Sequence, residues 1–234
     1  MGAGLEMMAL MRLSALICTA ALALSACGTD PSVTAAAQPS KALIAAYFTK
    51  AKAKATLTTL DPATVLALRT VLEKDRQPIL LVLNPSLKYS DLMAPYGSNG
   101  GVQTWASTSY TSLSTRDGVV VATRGFGPDL MSAVAPTLAT LSAARGPEQR
   151  TYYYLDGGDQ RQVFQFDCTL AAAGPENITV LGKVFATRKT IESCSGASGR
   201  FANTYWFDSA ARLRQSQQFM APGLENLTVQ RIVD

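Results

Sequence analysis

The chain has 234 residues, of which 47% are hydrophobic and 16% charged, and its formal net charge is +4. That is enough apolar material for one sizeable domain, too little charge for global disorder, and no run of like charge marks a nucleic-acid partner. Histidine is absent altogether, which excludes His-ligated metal centres and nucleophiles that rely on a histidine base.

The first residues, MGAGLEMMALMRLSALICTAALALSAC, have the form of a targeting segment. Arg12 precedes an apolar run from Leu13 to Leu24, a length that suits a signal-peptide core and falls short of a bilayer span. Translation starting at Met7, Met8 or Met11 would keep this arrangement. The run closes on Leu24-Ser25-Ala26-Cys27, which resembles the bacterial lipobox. The resemblance implies cleavage before Cys27, lipid on its sulfur and attachment to a membrane. Two or more acyl chains anchor a protein stably where one does so marginally. Gly28, where an inner-membrane retention signal would place Asp, points to the outer membrane. Residues 28–39 are small, polar and proline-punctuated, as a tether would be. The expected organisation is a signal peptide at 1–26, a lipidated tether at 27–39 and a single β-rich domain over 40–234.

From Ser40, the run KALIAAYFTKAKA predicts an amphipathic helix. A second starts at Asp61-Pro62, with Asp as N-cap and Pro in the first turn, carries Val65, Leu68 and Leu72 on one face, and ends before Gln77-Pro78. Ile79 to Leu83 predicts a short buried strand. Asp117-Gly118 separates two strand-like runs and predicts a hairpin, with Val119 to Thr123 as its apolar second arm. Asp129 to Leu141 predicts a short helix or a loop. Gln162 to Cys168 alternates, placing Phe164, Phe166 and Cys168 on one face. Val184 to Cys194 and Thr204 to Phe207 predict further strands.

The carboxyl half contains an internal echo at an offset near fifty residues. Tyr153-Tyr154-Leu155-Asp156 matches Tyr205-Trp206-Phe207-Asp208, Gln165-Phe166 matches Gln218-Phe219, and Glu176-Asn177-Ile178-Thr179-Val180 matches Glu225-Asn226-Leu227-Thr228-Val229. Each unit is expected to run strand, turn, strand, turn, strand. The predicted fold is mainly β with N-terminal helices, built on a large antiparallel sheet that curls or partly closes and so limits its exposed edges.

Of the four cysteines, Cys18 leaves with the signal and Cys27 takes the lipid. Cys168 and Cys194 remain in an exported chain and are expected to form a disulfide. Gly125-Phe126-Gly127 is not a dinucleotide cradle: Leu130 stands where a third glycine belongs, Pro128 interrupts the turn, and no βαβ alternation surrounds it. Arg124 and Asp129, flanking these glycines, are expected to brace the loop as a pair or to contact a ligand. Glu192 shares a strand face with Cys194; if that face is inward it needs a cationic partner, for which Arg124 is the candidate. Trp105, Tyr152, Tyr153, Tyr154, Tyr205 and Trp206 suit core packing first and sugar stacking second. No pattern points to a catalytic residue, a cofactor or a metal.

The segments Asp117 to Met131, Glu192-Ser193-Cys194, Asn203-Thr204-Tyr205-Trp206 and Gln215-Ser216-Gln217-Gln218 together resemble the YjbF/GfcB family of lipoproteins over about residues 40–233. The most specific part is the arginine-glycine-x-glycine-x-aspartate-leucine core at Arg124 to Leu130. The resemblance implies an outer-membrane lipoprotein tied to exopolysaccharide or group 4 capsule production, a mainly antiparallel β fold and no assigned catalytic residues. Its expected partners are the membrane, through the lipid, and polysaccharide or export-machinery proteins. Two rivals remain: a carboxylate hydrolase that trims polysaccharide, and a β shell that carries an apolar ligand or lipid.

Overall fold

The computed structural model describes residues 62–224 and 226–234. Cys27 and its lipobox, the tether, the amphipathic run after Ser40 and the expected N-cap Asp61 lie outside them. The second predicted helix is α1 (Pro62–Asp75). It begins on proline, whose fixed φ and missing N–H suit the first helical position. Twelve strands and one short helix follow: β1 (Ile79–Asn84), β2 (Tyr89–Asn99), β3 (Val102–Ala106), β4 (Ser112–Arg116), β5 (Val119–Arg124), β6 (Ser132–Val134), α2 (Leu138–Ala143), β7 (Arg145–Leu155), β8 (Arg161–Val180), β9 (Lys183–Gly196), β10 (Gly199–Phe207), β11 (Leu213–Gln218) and β12 (Leu227–Val233).

All of the strands form one sheet in the order β5-β4-β3-β2-β1-β12-β11-β10-β9-β8-β7-β6. From β1 at mid-sheet the strands walk outward to β5, cross to the opposite edge at β6 and walk back until β12 pairs antiparallel with β1. The two edges are therefore consecutive in sequence. The Thr123 amide donates to the Leu130 carbonyl at 2.9 Å, so the sheet is nearly closed into a barrel. This is the mainly β, antiparallel, curled fold that the sequence predicts, and near-closure leaves little unpaired edge.

Alternation sorts the side chains into two layers. The inward face carries Leu80, Val82, Met93, Trp105, Leu113 and Val229 among others, with an aromatic cluster of Tyr152, Phe166, Phe201 and Phe219 whose ring centroids lie 4.2–6.1 Å apart. The second layer lies outside, where Leu68 and Leu72 of α1 cover Ile79, Leu81, Leu92, Ile232 and Val233. β1 is thus covered on both faces, which is why it is a continuous apolar run rather than an alternating one. Buried Arg69 of α1 ties this layer together: its guanidinium donates to the carbonyls of Val180 at 2.6 Å, Leu181 at 3.2 Å and Ile232 at 3.2 Å. The tip of the β8–β9 hairpin is thereby held against α1 and β12.

The internal echo is visible in the hairpins. After β7, the Asp156 amide donates to the Gln160 carbonyl, and the Asp156 carboxylate accepts from the amides of Gly158 and Gln160. After β10, Asp208 repeats the arrangement with Arg212 and Ala210. The third strand differs from expectation. In the second unit the chain turns back between β11 and β12, whereas in the first it runs on as β8, a single strand of 20 residues interrupted only by a bulge between Ala172 and Pro175. The segment from Asp129 to Leu141 is also richer than a helix or a loop. It supplies edge strand β6 and the first turn of α2, whose N-cap Thr137 accepts from the Thr140 amide at 3.2 Å.

Candidate functional site

Three strands converge on a polar cluster inside the sheet. Arg150 on β7 and Glu192 on β9 are 1% and 0% exposed at their side chains. They meet as a fork: Nε donates to one carboxylate oxygen and an Nη to the other, both at 2.7 Å. The second oxygen also accepts from the Tyr205 hydroxyl at 2.9 Å and the Asn203 amide at 2.7 Å. Tyr205 in turn accepts from Arg150 at 2.6 Å, and the Asn203 carbonyl oxygen accepts from the Phe219 amide at 2.6 Å. Burial alone would raise the Glu192 pKa; the Arg150 hydrogen bonds and charge, with Asn203 and Tyr205, hold it below its ordinary value instead. Burial pushes the Tyr205 phenol well above its own. The sequence-based partner for Glu192 was Arg124, and the structure corrects this to Arg150. β8 lies between the two strands, so Arg150 reaches across it from β7.

Beside this cluster, Cys168 and Cys194 face each other on β8 and β9 and form the expected disulfide. Their sulfurs lie within 4.8 Å of a Glu192 oxygen. Bonded sulfurs offer no thiolate, so the trio is not a metal site.

Arg124 and Asp129 lie at the seam between β5 and β6. They brace the loop separately rather than as the expected pair. The Arg124 guanidinium donates to the carbonyls of Thr123 at 2.5 Å and Leu130 at 3.0 Å. The Asp129 carboxylate accepts from the amides of Gly125 at 2.7 Å and Phe126 at 3.1 Å and from the Thr123 hydroxyl at 3.1 Å. Phe126 and Leu130 point into the core. The Gly125 φ of +85° suits glycine, and an added Cβ there would sit 3.0 Å from the Tyr110 carbonyl oxygen. The glycine-rich segment is a clip that closes the sheet.

Further struts cross the interior. The Gln218 side chain on β11 accepts from the Val120 amide at 2.9 Å and donates to the Gly118 carbonyl at 3.3 Å. A cavity at this crossing, bordered by Trp105, Gly118, Leu213 and Arg231, measures about 20 Å³, room for about one water. Outside the barrel, Asp208 accepts from Arg212 at 3.0 Å and Arg214 at 2.8 Å, and both arginines reach Asp234. Burial would raise the Asp208 pKa, but the Arg212 amide and the two guanidinium groups hold it below its ordinary value.

Trp105 is buried on β3, with its indole donating to the Thr115 hydroxyl at 3.0 Å. Trp206 is buried in the outer apolar layer to which α1 contributes Leu68 and Leu72, with the Lys189 ammonium 5.4 Å from its ring. Tyr152, Tyr154 and Tyr205 are buried as well, and Tyr153 is half-buried. The exposed aromatic rings among the described residues are two that sequence reading passed over, Tyr96 and Tyr110. Arg150 was passed over too. Its one signal is a charge of register-matched parity on a strand whose alternate residues, Tyr152 and Tyr154, face inward.

A family profile described as group 4 capsule polysaccharide lipoprotein GfcB, YjbF, matches residues 46–232. Among solved structures, the chain is similar to the hypothetical lipoprotein YmcC from Escherichia coli K12, with a TM-score of 0.63 at 16% identity, covering 71% of this chain and 88% of that one. An exported protein with a YmcC-like fold from Bacteroides fragilis matches with a TM-score of 0.30 at 8% identity, covering 67% and 93%. A lipoprotein from Parabacteroides distasonis matches with a TM-score of 0.31 at 10% identity, covering 67% and 94%. The YmcC likeness is one of fold. The curated proteins contain no match.

Proposed function

Because this chain belongs to the YjbF family of group 4 capsule polysaccharide lipoproteins, we propose that it is a non-catalytic accessory of polysaccharide assembly or export. Lipid on Cys27 anchors it to the outer membrane, the signal peptide at 1–26 is removed, residues 27–39 are its tether, and the domain over 40–234 stands in the periplasm. It acts by engaging export-machinery proteins or by holding glycan during transfer. No helix among the described residues is long and apolar enough to cross a membrane, which accords with lipid anchorage.

The observation that carries the non-catalytic reading is the saturation of the buried carboxylate. A general acid or base needs a free valence aimed at substrate and a pKa near the working pH. The two Glu192 oxygens take four hydrogen bonds, and Arg150 holds the group ionised. Asp129, Asp156 and Asp208 are likewise committed to turns and arginines. The carrier alternative is disfavoured by an interior filled with side chains and cross-struts.

The test is genetic. Deletion of the gene in its own host is expected to lower surface polysaccharide, measured by uronic acid and total sugar in washed cells. The wild-type gene restores it, and Cys27→Ala does not, because the product leaves the outer-membrane fraction. Unchanged polysaccharide in the deletion strain sinks the proposal.

A further inference from the structure

The outer face of β2, β3 and β4 carries a groove of about 500 Å³ between Tyr96 and Tyr110. Its floor and rim are Thr104, Ala106, Ser107, Thr108 and Ser112. Among the described residues, no Lys, Arg, Asp or Glu lines it. Volumes of about 300–1,000 Å³ suit small-molecule or short-chain ligands.

The groove is built rather than incidental. Tyr110 is 97% exposed and Tyr96 54%. Tyr110 sits at a φ of +63°, a left-handed conformation that few non-glycine residues adopt and that persists where surrounding structure enforces it. Here the enforcement is visible. The Ser107 amide donates to the Thr111 carbonyl at 3.0 Å, closing the β3–β4 loop. The Ser107 hydroxyl bonds to those of Ser109 at 2.9 Å and Thr111 at 2.7 Å. Thr111 continues to the Tyr89 hydroxyl at 2.6 Å, and Ser109 donates to the Asp91 carboxylate at 2.5 Å. Gly125 of the seam clip packs beneath, where an added Cβ would press on the carbonyl of Tyr110 itself. The glycine-rich seam clip therefore supports the loop that presents this ring.

Two exposed rings framing a row of hydroxyls, with no charged side chain among the described lining residues, match the two kinds of surface on a sugar. Its C–H face packs on an aromatic ring, while its hydroxyls exchange hydrogen bonds with serine and threonine. Among the described residues, the hydroxyls of Thr108 and Ser112 make no hydrogen bond within the protein, so both are open to a ligand. We propose that this groove binds an uncharged stretch of the polysaccharide chain, with Tyr96 and Tyr110 as its stacking platforms. This rests on the accessory reading above and assigns it a glycan site.

The full-length lipoprotein, purified in detergent, is run in native gels cast with surface polysaccharide from its own host. Parallel gels contain the same polymer after carboxyl reduction. Retardation is expected in both and is expected to survive moderate salt, because the described lining carries no charge. Tyr96→Ala and Tyr110→Ala are each expected to weaken retention about tenfold, while Tyr110→Phe keeps it. Unchanged melting temperatures establish that the variants fold. An unretarded wild type overturns the inference. So does retention lost in salt or on carboxyl reduction, and so do alanine variants within about twofold of wild type. A deletion strain that loses polysaccharide while binding is absent removes this site and leaves the accessory reading. A deletion strain with normal polysaccharide removes the accessory reading instead.

Discussion

Glu192→Gln removes one charge from the centre of the molecule and little else. The side chain keeps its size, but the Arg150 guanidinium loses its counter-charge while 1% exposed. One arm of the 2.7 Å fork now donates to a neutral amide oxygen in place of a carboxylate oxygen, and the other meets an NH₂ group it cannot donate to. Breaking a buried pair by removing one partner costs about 3–5 kcal/mol, against a total stability of about 5–15 kcal/mol for a typical domain. The variant is therefore expected to lose at least a fifth of its stability. Arg150→Met combined with Glu192→Leu removes both charges and the desolvation they suffer, so the double variant should cost well under the sum of the singles. The assay is urea denaturation with the disulfide intact, followed by fluorescence of the buried Trp105 and Trp206. A Glu192→Gln cost below about 1 kcal/mol refutes the reasoning, as does a double variant that equals the sum of its singles within about 0.5 kcal/mol.

Acid should act through the same groups. Glu192 and Asp208 have folded pKa values below their ordinary values of 4.5 and 3.8, so the unfolded chain takes up protons first as the pH falls. Their contribution is complete above the ordinary values and is lost as pH drops through the lower folded ones. The urea midpoint should fall below about pH 4.5, and Glu192→Gln should blunt that fall; an equally steep fall would contradict the assignment. Arg69→Leu leaves three carbonyls without their donor, and should destabilise by about 2–3 kcal/mol, with faster hydrogen exchange at the β8–β9 tip. Gly125→Ala combines a left-handed φ with a 3.0 Å contact on Tyr110; a loss of about 1–3 kcal/mol in urea is expected. Cys168→Ala opens a crosslink spanning 26 residues, worth about 3.5 kcal/mol by the chain-entropy relation; thiol labelling of the wild type should find both sulfurs blocked.

Local pattern carried much of the architecture. Alternation in β8 and β9 assigned Phe166, Cys168, Glu192 and Cys194 to one face, and Asp117-Gly118 marked its hairpin. What it could not carry was register. Arg150 meets Glu192 because β7 and β9 flank β8 in a particular alignment, and nothing near either residue encodes that alignment. Arg124 drew attention through its glycine neighbours, yet two carbonyls occupy it. The echo misled for a similar reason. Ala221-Pro222-Gly223-Leu224 makes a turn, with the Leu224 amide donating to Ala221 and Gly223 at φ +79°. Its counterpart has the order reversed, Gly174-Pro175, and makes a bulge instead. Proline before glycine turns a chain back where glycine before proline bends it. Tyr96 and Tyr110 were illegible as a site because they come to line one groove only once β2 pairs with β3 and β3 with β4.

The meeting of β12 with β1 has a cost in time. Every other neighbour in the sheet order is the next strand in the chain, reached by a local connection. β1, the most continuously apolar strand, pairs on one side with residues some 150 positions later, from Ile79↔Val233 to Leu83↔Thr228. In a chain that emerges amino end first, Ile-Leu-Leu-Val-Leu must wait as an open edge until the final strand arrives. Such a segment is short, β-prone and uncharged, the composition that recruits other chains. Aggregation during folding, rather than loss of the finished barrel, is where this topology is most exposed, and a holdase that shields β1 until β12 docks would raise the yield more than any strengthening of the native core.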